Sequence, residues 1–251
     1  MSNNETAWNR HARRYFVSDN LPLDTVDYCG RRFPTDSDLH LIGDPSGLHV
    51  LELGSGACNC GIALAAQGAD VTCLDLSEEQ LAIGRDCAEK VGVSINLIKG
   101  DMGDLSPFAD ESFDLVLSIC AIMYVEDLQT LFKEVSRVLR PRGRLVFSVD
   151  HPIMQAIGAT DLWPEESADP RYDYRGSVTW KWLKEDSFLF TTYRRPVSDY
   201  INALSEAGLE TCRMHELYPK DTNEWNESEK SLRSRFPSIL VVAARKQACQ
   251  G

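Results

Sequence analysis

The stretch Val50-Leu51-Glu52-Leu53-Gly54-Ser55-Gly56-Ala57, followed at a distance by Asp75, decides how this chain folds. A short apolar run feeds straight into two glycines separated by one residue. An apparent helix at 58–67 comes next, and a second apolar run, Val71-Thr72-Cys73-Leu74, ends in the carboxylate of Asp75. Strand, glycine turn, helix and acid-tipped strand together make a site for an adenosine-bearing ligand. The glycines let backbone approach the ligand, and the carboxylate accepts hydrogen bonds from ribose hydroxyls.

Glycine spacing selects among such ligands. A dinucleotide fingerprint calls for a third glycine three residues after the second. Here that position is Asn59, and the next glycine is Gly61. The departure opposes an NAD-dependent oxidoreductase, which is the competing reading of the same strand, turn and acid.

Outward from this unit, strand signals recur at 48–53, 70–75, 94–98, 113–119 and 143–149, and helix signals at 58–67, 78–91 and 127–139. Ser77 before Glu78-Glu79-Gln80 is a capping signal, Asp127 caps the next helix, and Pro141 with Gly143 closes it. This alternation over 48–150 implies a parallel sheet with helices on both faces. Residues 1–47 form an N-terminal helical cap. Trp8, His11, Ala12 and Tyr15 share one helix face, and a short helix follows near 36–42. Residues 151–187 are rich in Trp, Tyr, Asp and Pro without periodicity. They are too long for an idle connection, which points to a cover over the substrate. Residues 188–251 return to order: a strand at 188–193, a helix at 196–208 closed by glycine, and strands at 209–217 and 238–244. No internal repeat or low-complexity linker interrupts the chain, so residues 1–251 read as a single α/β domain.

The Glu52-x-Gly54-x-Gly56 core does not stand alone. It is followed by Gly100-Asp101-Met102, by Phe113-Asp114-Leu115-Val116-Leu117-Ser118, and by Leu139-Arg140-Pro141-Arg142-Gly143 leading into Leu145-Val146-Phe147. In this order the motifs resemble class I S-adenosylmethionine-dependent methyltransferases of the bacterial, small-molecule type, closely over residues 48–150 and loosely elsewhere. The resemblance implies a Rossmann-like, mostly parallel seven-stranded sheet and S-adenosylmethionine as cofactor. It further implies methyl transfer to an N, O or C nucleophile of a small molecule of specialised metabolism.

It also implies roles. Glu52, Gly54, Ser55 and Gly56 belong to the loop around the amino-acid and ribose parts of the cofactor. Asp75 takes the ribose hydroxyls, and Leu76 flanks the adenine. Asp101 meets the adenine amine, with Met102 beside it. Ser118 and Ile119 present backbone to the methionine end, although many relatives carry a polar residue where Ile119 stands. Tyr15 or Tyr28 closes over the cofactor carboxylate.

Ligands in such sheets lie beyond the carboxyl ends of the strands. That rule makes His151, after the fifth strand, the candidate general base; its alternative role is to fix its own turn. Tyr124 borders the substrate or packs in the core. Trp163, Tyr172, Tyr174, Trp180 and Trp182 line an apolar substrate pocket or build a minor core.

Bulk properties narrow the field. The 251 residues suffice for one α/β core, and 43% hydrophobic with 25% charged residues is ordinary for a globular protein. A net charge of −12 opposes a broad nucleic-acid footprint. A tRNA or protein methyltransferase is therefore disfavoured, while a non-catalytic S-adenosylmethionine-binding module stays open. No apolar run reaches the length of a membrane span, and Met1-Ser2-Asn3-Asn4-Glu5 lacks the form of a secretory signal. The expectation is a cytoplasmic protein with no membrane or nucleic-acid partner, a homodimer being left open. The eight cysteines include no C-x-x-C pair, and the five histidines show no ligand spacing. Buried reduced thiols and no metal are expected, with a redox pair at Cys58 and Cys60 as the sharper alternative.

Overall fold

The apolar runs become strands β1 (His49–Leu53), β2 (Asp70–Asp75), β3 (Asn96–Lys99), β4 (Phe113–Ile119) and β5 (Leu139–Asp150) of a parallel sheet in the computed structural model. The structure describes residues 2–19, 22–30, 32–157, 171–181, 187–220 and 227–247, with the side chains of 15–19 excepted. Strands β6 (Gly176–Trp180) and β7 (Phe190–Arg194) pair in a separate antiparallel ribbon. Strands β8 (Leu209–Leu217) and β9 (Ile239–Lys246) complete a seven-stranded sheet in the order β3-β2-β1-β4-β5-β9-β8. Only β9 runs against its neighbours. The chain builds outward from β1 through β2 to β3, then crosses back to lay β4 on the other side of β1. At that reversal the connections leave in opposite directions, and a crevice opens at the carboxyl ends of β1 and β4.

The central strands are buried on both faces, as continuous apolar runs require. Leu51 and Leu53 of β1 pack with Leu131, Phe132 and Val135 of α5 (Leu128–Val138) and Leu204 of α7 (Val197–Glu206). Val50, Leu115 and Leu117 face the other way, onto Ile62 and Leu64 of α3 (Asn59–Ala65) and Leu81 of α4 (Glu78–Val91). Each such aliphatic side chain contributes about 1.5–3 kcal/mol on burial. Ser77 Oγ accepts from Gln80 N at 3.2 Å to start α4, and Asp127 Oδ1 accepts from Thr130 N at 2.9 Å to start α5.

The helix after Asp127 ends earlier than Pro141 and Gly143 suggest. Strand β5 begins at Leu139, pairs there with Phe113, and resumes register only at Arg144. Pro141 and Arg142, the latter at φ 67°, sit in this irregular stretch. The short helix expected near 36–42 is α2 (Asp36–Leu39), while periodicity missed β6, α6 (Pro152–Ala156) and α8 (Glu227–Arg233). All are too short to show a period.

The N-terminal helix α1 (Asn3–Asp19) is longer than expected and firmly docked. The Asn4 amide donates to Thr191 O at 3.0 Å and accepts from Thr191 N at 2.7 Å, pairing α1 with β7. Glu5 meets Lys99 at 2.9 Å, and Ser77 Oγ donates to Asn9 Oδ1 at 2.7 Å. Ala7, Trp180 and Phe190 form a third small core between α1 and the ribbon. Among the described residues, no helix is long and apolar enough to cross a membrane.

Candidate cofactor site and active cleft

The turn after β1 is built for close approach. Gly54 and Gly56 hold φ of 63° and 53°, a region costly for any residue with a Cβ. A methyl group on Gly54 would also collide with Ala121 Cβ and Met102 Cε. The Gly54 and Ser55 N–H groups donate to Leu74 O at 2.8 and 3.1 Å, stapling the turn to β2.

Asp75 ends β2 beside that turn. Its Oδ2 accepts from Gly56 N at 2.7 Å and its Oδ1 from Ser77 N at 2.8 Å. Each carboxylate oxygen is thus fixed by one backbone donor and keeps a lone pair for a ligand. Burial pushes the Asp75 carboxyl above its ordinary value against the pull of these N–H groups.

Both elements line a cavity of about 450 Å³ at the β1–β4 crevice. Of the residues expected from sequence, Glu52, Gly54, Ser55, Gly56, Asp75, Leu76, Asp101, Met102, Ile119 and Tyr124 border it. Glu52 is buried, with Oε2 accepting from Gly61 N at 2.8 Å, and burial pushes its carboxyl up to about 8. Burial likewise raises the Tyr124 hydroxyl, which therefore stays protonated.

Other expected residues lie elsewhere, each for a visible reason. Tyr28 is fully buried and its hydroxyl donates to Asp36 Oδ1 at 2.6 Å, so the cavity is bordered by its neighbours Asp27 and Cys29 instead. Ser118 Oγ donates to Leu53 O at 3.0 Å, bracing β4 against β1. His151 does not border the cavity. Its Nδ1 accepts from Ile153 N at 3.1 Å as the cap of α6, and its Nε2 meets Glu216 Oε1 at 3.0 Å. That pattern fixes a neutral ring with its proton on Nε2, and burial lowers its basicity. Both nitrogens are thus engaged, one by the turn that His151 caps and one by Glu216.

Trp180 stacks on Phe190 with centroids 4.7 Å apart and belongs to the small core under α1. Tyr172 is exposed, its hydroxyl accepting from Val197 N at 3.2 Å, and Tyr174 lies under the Arg194 guanidinium. Trp163, Trp182 and the Tyr15 side chain lie outside the described residues. Among the described residues, the aromatic ones that border the cavity are Trp8, Tyr124 and Tyr193, with Trp8 edge-on to Tyr124 at 5.8 Å.

Sequence reasoning missed Asn4, Asp27, Cys29, Asn59, Gln80 and Cys120, all of which border the cavity. Asn59, the residue in place of a third glycine, donates through Nδ2 to Asp27 Oδ2 at 3.2 Å. Gln80 carried a readable signal. In a full capping box its side chain would return to Ser77 N, but Asp75 already holds that N–H. The Gln80 amide is therefore buried beside the cavity with neither Nε2 nor Oε1 partnered by protein. A glycine cradle, an anchored carboxylate and an unpartnered buried amide on one cavity fit an adenosyl ligand.

Comparison with known proteins settles the family. A family description, "Methyltransferase domain", matches residues 51–147. A solved S-adenosylmethionine dependent methyltransferase from Mesorhizobium loti is 30% identical, with 82% of this chain and 94% of that one covered and a TM-score of 0.66. The chain belongs to the class I S-adenosylmethionine-dependent methyltransferases. An uncharacterized methyltransferase of Bacillus subtilis is 46% identical over 108 residues, 43% of this chain and 42% of that protein. A demethylmenaquinone methyltransferase of Tropheryma whipplei is 34% identical over 114 residues, 45% of this chain and 46% of that protein. The chain thus aligns with less than half the length of these two curated relatives. The family's cofactor is S-adenosylmethionine, and the candidate site for it is the cavity bordered by the glycine turn and the acid of this methyltransferase. Its matched segment, 51–147, ends before the ribbon and before the residues that follow β5.

Proposed function

We propose that this methyltransferase transfers the methyl group of S-adenosylmethionine to an N, O or C nucleophile of a small molecule, mainly by alignment. The observation that carries this is the convergence of the Gly54–Gly56 turn, the anchored Asp75 and the unpartnered Gln80 amide on a cavity that continues to Trp8, Tyr124 and Tyr193. When bound, the cofactor supplies an already activated methyl on its sulfonium. Asp75 holds the ribose, Leu76, Asp101 and Met102 the adenine, and the glycine turn the methionine end. Trp8, Tyr124 and Tyr193 border the acceptor and exclude water. Holding two reactants in attack geometry is worth about 7–11 kcal/mol in favourable cases, more than a single base supplies. That suits a cleft which the expected base, His151, does not border, its ring nitrogens being committed to its own helix cap and to Glu216.

A small acceptor is favoured by a cavity of about 450 Å³ and by a net charge of −12. The demethylmenaquinone methyltransferases among its relatives are named for such an acceptor. A cytoplasmic enzyme of specialised metabolism fits these features.

The test is direct. Calorimetry with S-adenosylmethionine and with NAD should show binding of the first alone. Incubation with methyl-labelled cofactor and a fractionated cell extract should place label in the small-molecule fraction. Label confined to RNA or protein would overturn the acceptor class, and no cofactor binding would overturn the whole reading.

A further inference from the structure

Cys29, Cys120 and Asp150 offer ligand atoms that all lie within 4.8 Å of one another. Among the described residues they are the one group of His, Cys, Asp and Glu side chains that converges in this way. They come from the loop after α1, the end of β4 and the end of β5, so no sequence spacing announces them. Cys29 and Cys120 both border the cleft.

We propose that these three side chains form a site for a soft divalent cation of the zinc class, with the fourth coordination position open toward the cleft. The donor set supports a soft ion. Two thiolates and one carboxylate suit zinc, whereas magnesium or calcium would call for oxygen donors alone. Three protein ligands with one exchangeable position is the arrangement of zinc sites that meet a substrate or water. Two zinc–sulfur bonds of about 2.3 Å at the tetrahedral angle place their sulfurs ~3.8 Å apart. The three ligand atoms, within 4.8 Å of one another, lie near that separation.

The surroundings match. Two thiolates, a carboxylate and a divalent ion sum to one negative charge, and the Arg233 guanidinium lies close enough to act on both Asp150 and Cys29. The backbone of Cys120 is pinned by its N–H, which donates to Ser148 O at 3.0 Å and Ser148 Oγ at 3.1 Å. Ser148 Oγ also lies 3.6 Å from Cys120 Sγ, placed to orient that ligand as outer-sphere partners do. Asp27 accepts from Gly30 N at 2.5 Å, clamping the turn that carries Cys29. The site does not depend on methyl transfer, and its test reads the ion rather than the reaction.

The full chain, purified with a non-thiol reductant, is titrated with cobalt(II) as an optical probe and then with zinc. The expected result is one equivalent bound, with a thiolate-to-cobalt band and tetrahedral visible bands that zinc abolishes. Cys29→Ser, Cys120→Ser and Asp150→Asn should each weaken zinc binding by at least the 10–100-fold typical of an outer-sphere loss, and Ser148→Ala by about 10-fold. Cys212→Ser, on the exposed part of β8, should bind as the wild type does. Melting curves without metal identify any variant that fails to fold, and Ser148→Ala then carries the comparison. Octahedral cobalt bands, or equal affinity in all five variants, would overturn the site. So would a Cys29–Cys120 disulfide, found by peptide mass mapping, that forms equally with and without zinc present.

Discussion

Asp75→Asn is close to isosteric, yet the geometry of the cleft makes it a severe change. Both carboxylate oxygens already accept from backbone, Oδ2 from Gly56 N at 2.7 Å and Oδ1 from Ser77 N at 2.8 Å. An asparagine must present its NH₂ to one of these N–H groups, and flipping the amide only exchanges which one. A buried donor left unsatisfied costs about 1–3 kcal/mol, and exchanging a charged acceptor for a neutral one on the ribose forfeits about 1 kcal/mol more. The first loss falls on the folded protein, and the glycine turn that Gly56 belongs to shifts with it. The second falls on the cofactor. With part of the turn's displacement added, affinity for S-adenosylmethionine should drop roughly 10–100-fold, since 1.4 kcal/mol is a factor of ten. Asp75→Ala, which frees both N–H groups, should be worse on both counts. Calorimetry gives the affinities and urea melts give the stabilities. If the asparagine protein binds within threefold of wild type and melts at the same urea concentration, the double-anchor argument is wrong.

Three further outcomes follow from buried polar groups. Glu52 is raised from its ordinary 4.5 to about 8, so the folded state holds a proton that the unfolded chain has lost. Its contribution is complete below pH 4.5 and fades as pH rises toward 8, by up to about 1.4 kcal/mol per pH unit. Stability measured by denaturant melts should therefore fall from pH 5 to 8, and Glu52→Gln should flatten that slope; a parallel slope in the variant would refute the shift. Gln80→Leu removes an amide with no protein partner. It should raise the melting temperature of the free protein by ~1 kcal/mol equivalent while weakening cofactor binding roughly fivefold. A variant that gains stability and loses no affinity would show that Gln80 does not meet the ligand. His151→Ala deletes the cap of α6 and should cost about 1 kcal/mol of stability. Cofactor affinity should be unchanged, and the pH profile of turnover should keep its shape; loss of a basic limb would restore His151 as a base.

The parts of this protein that were readable in advance are those fixed by near neighbours. The β1–turn–α3–β2 unit follows from an apolar run, two glycines and an acid within one stretch. The capping signals at Ser77 and Asp127 landed where hydrogen bonds form. What sequence position could not supply is the direction of a side chain once the strand has ended. His151 follows β5 and so satisfies the rule for active-site residues, but Pro152 starts a helix there and the imidazole turns back to cap it. Asp150, one residue earlier, points toward Cys29 and Cys120 instead. Among the described aromatic residues of 151–187, side-chain direction was again set by the fold. Trp180 found Phe190 across the ribbon, a pairing set by register between β6 and β7 rather than by any local pattern. Its place beside the cleft is taken by Trp8, which α1 carries there because Asn4, Glu5 and Asn9 each find partners on a different element. The glycine-turn side of the cleft is thus encoded locally and lies within the segment that matches the family, residues 51–147. The far side of the same cavity is assembled from α1, the loop carrying Cys29, the residues after β4 and β7, segments joined only by the fold, so substitutions there can reshape the cavity without disturbing the β1–β2 unit.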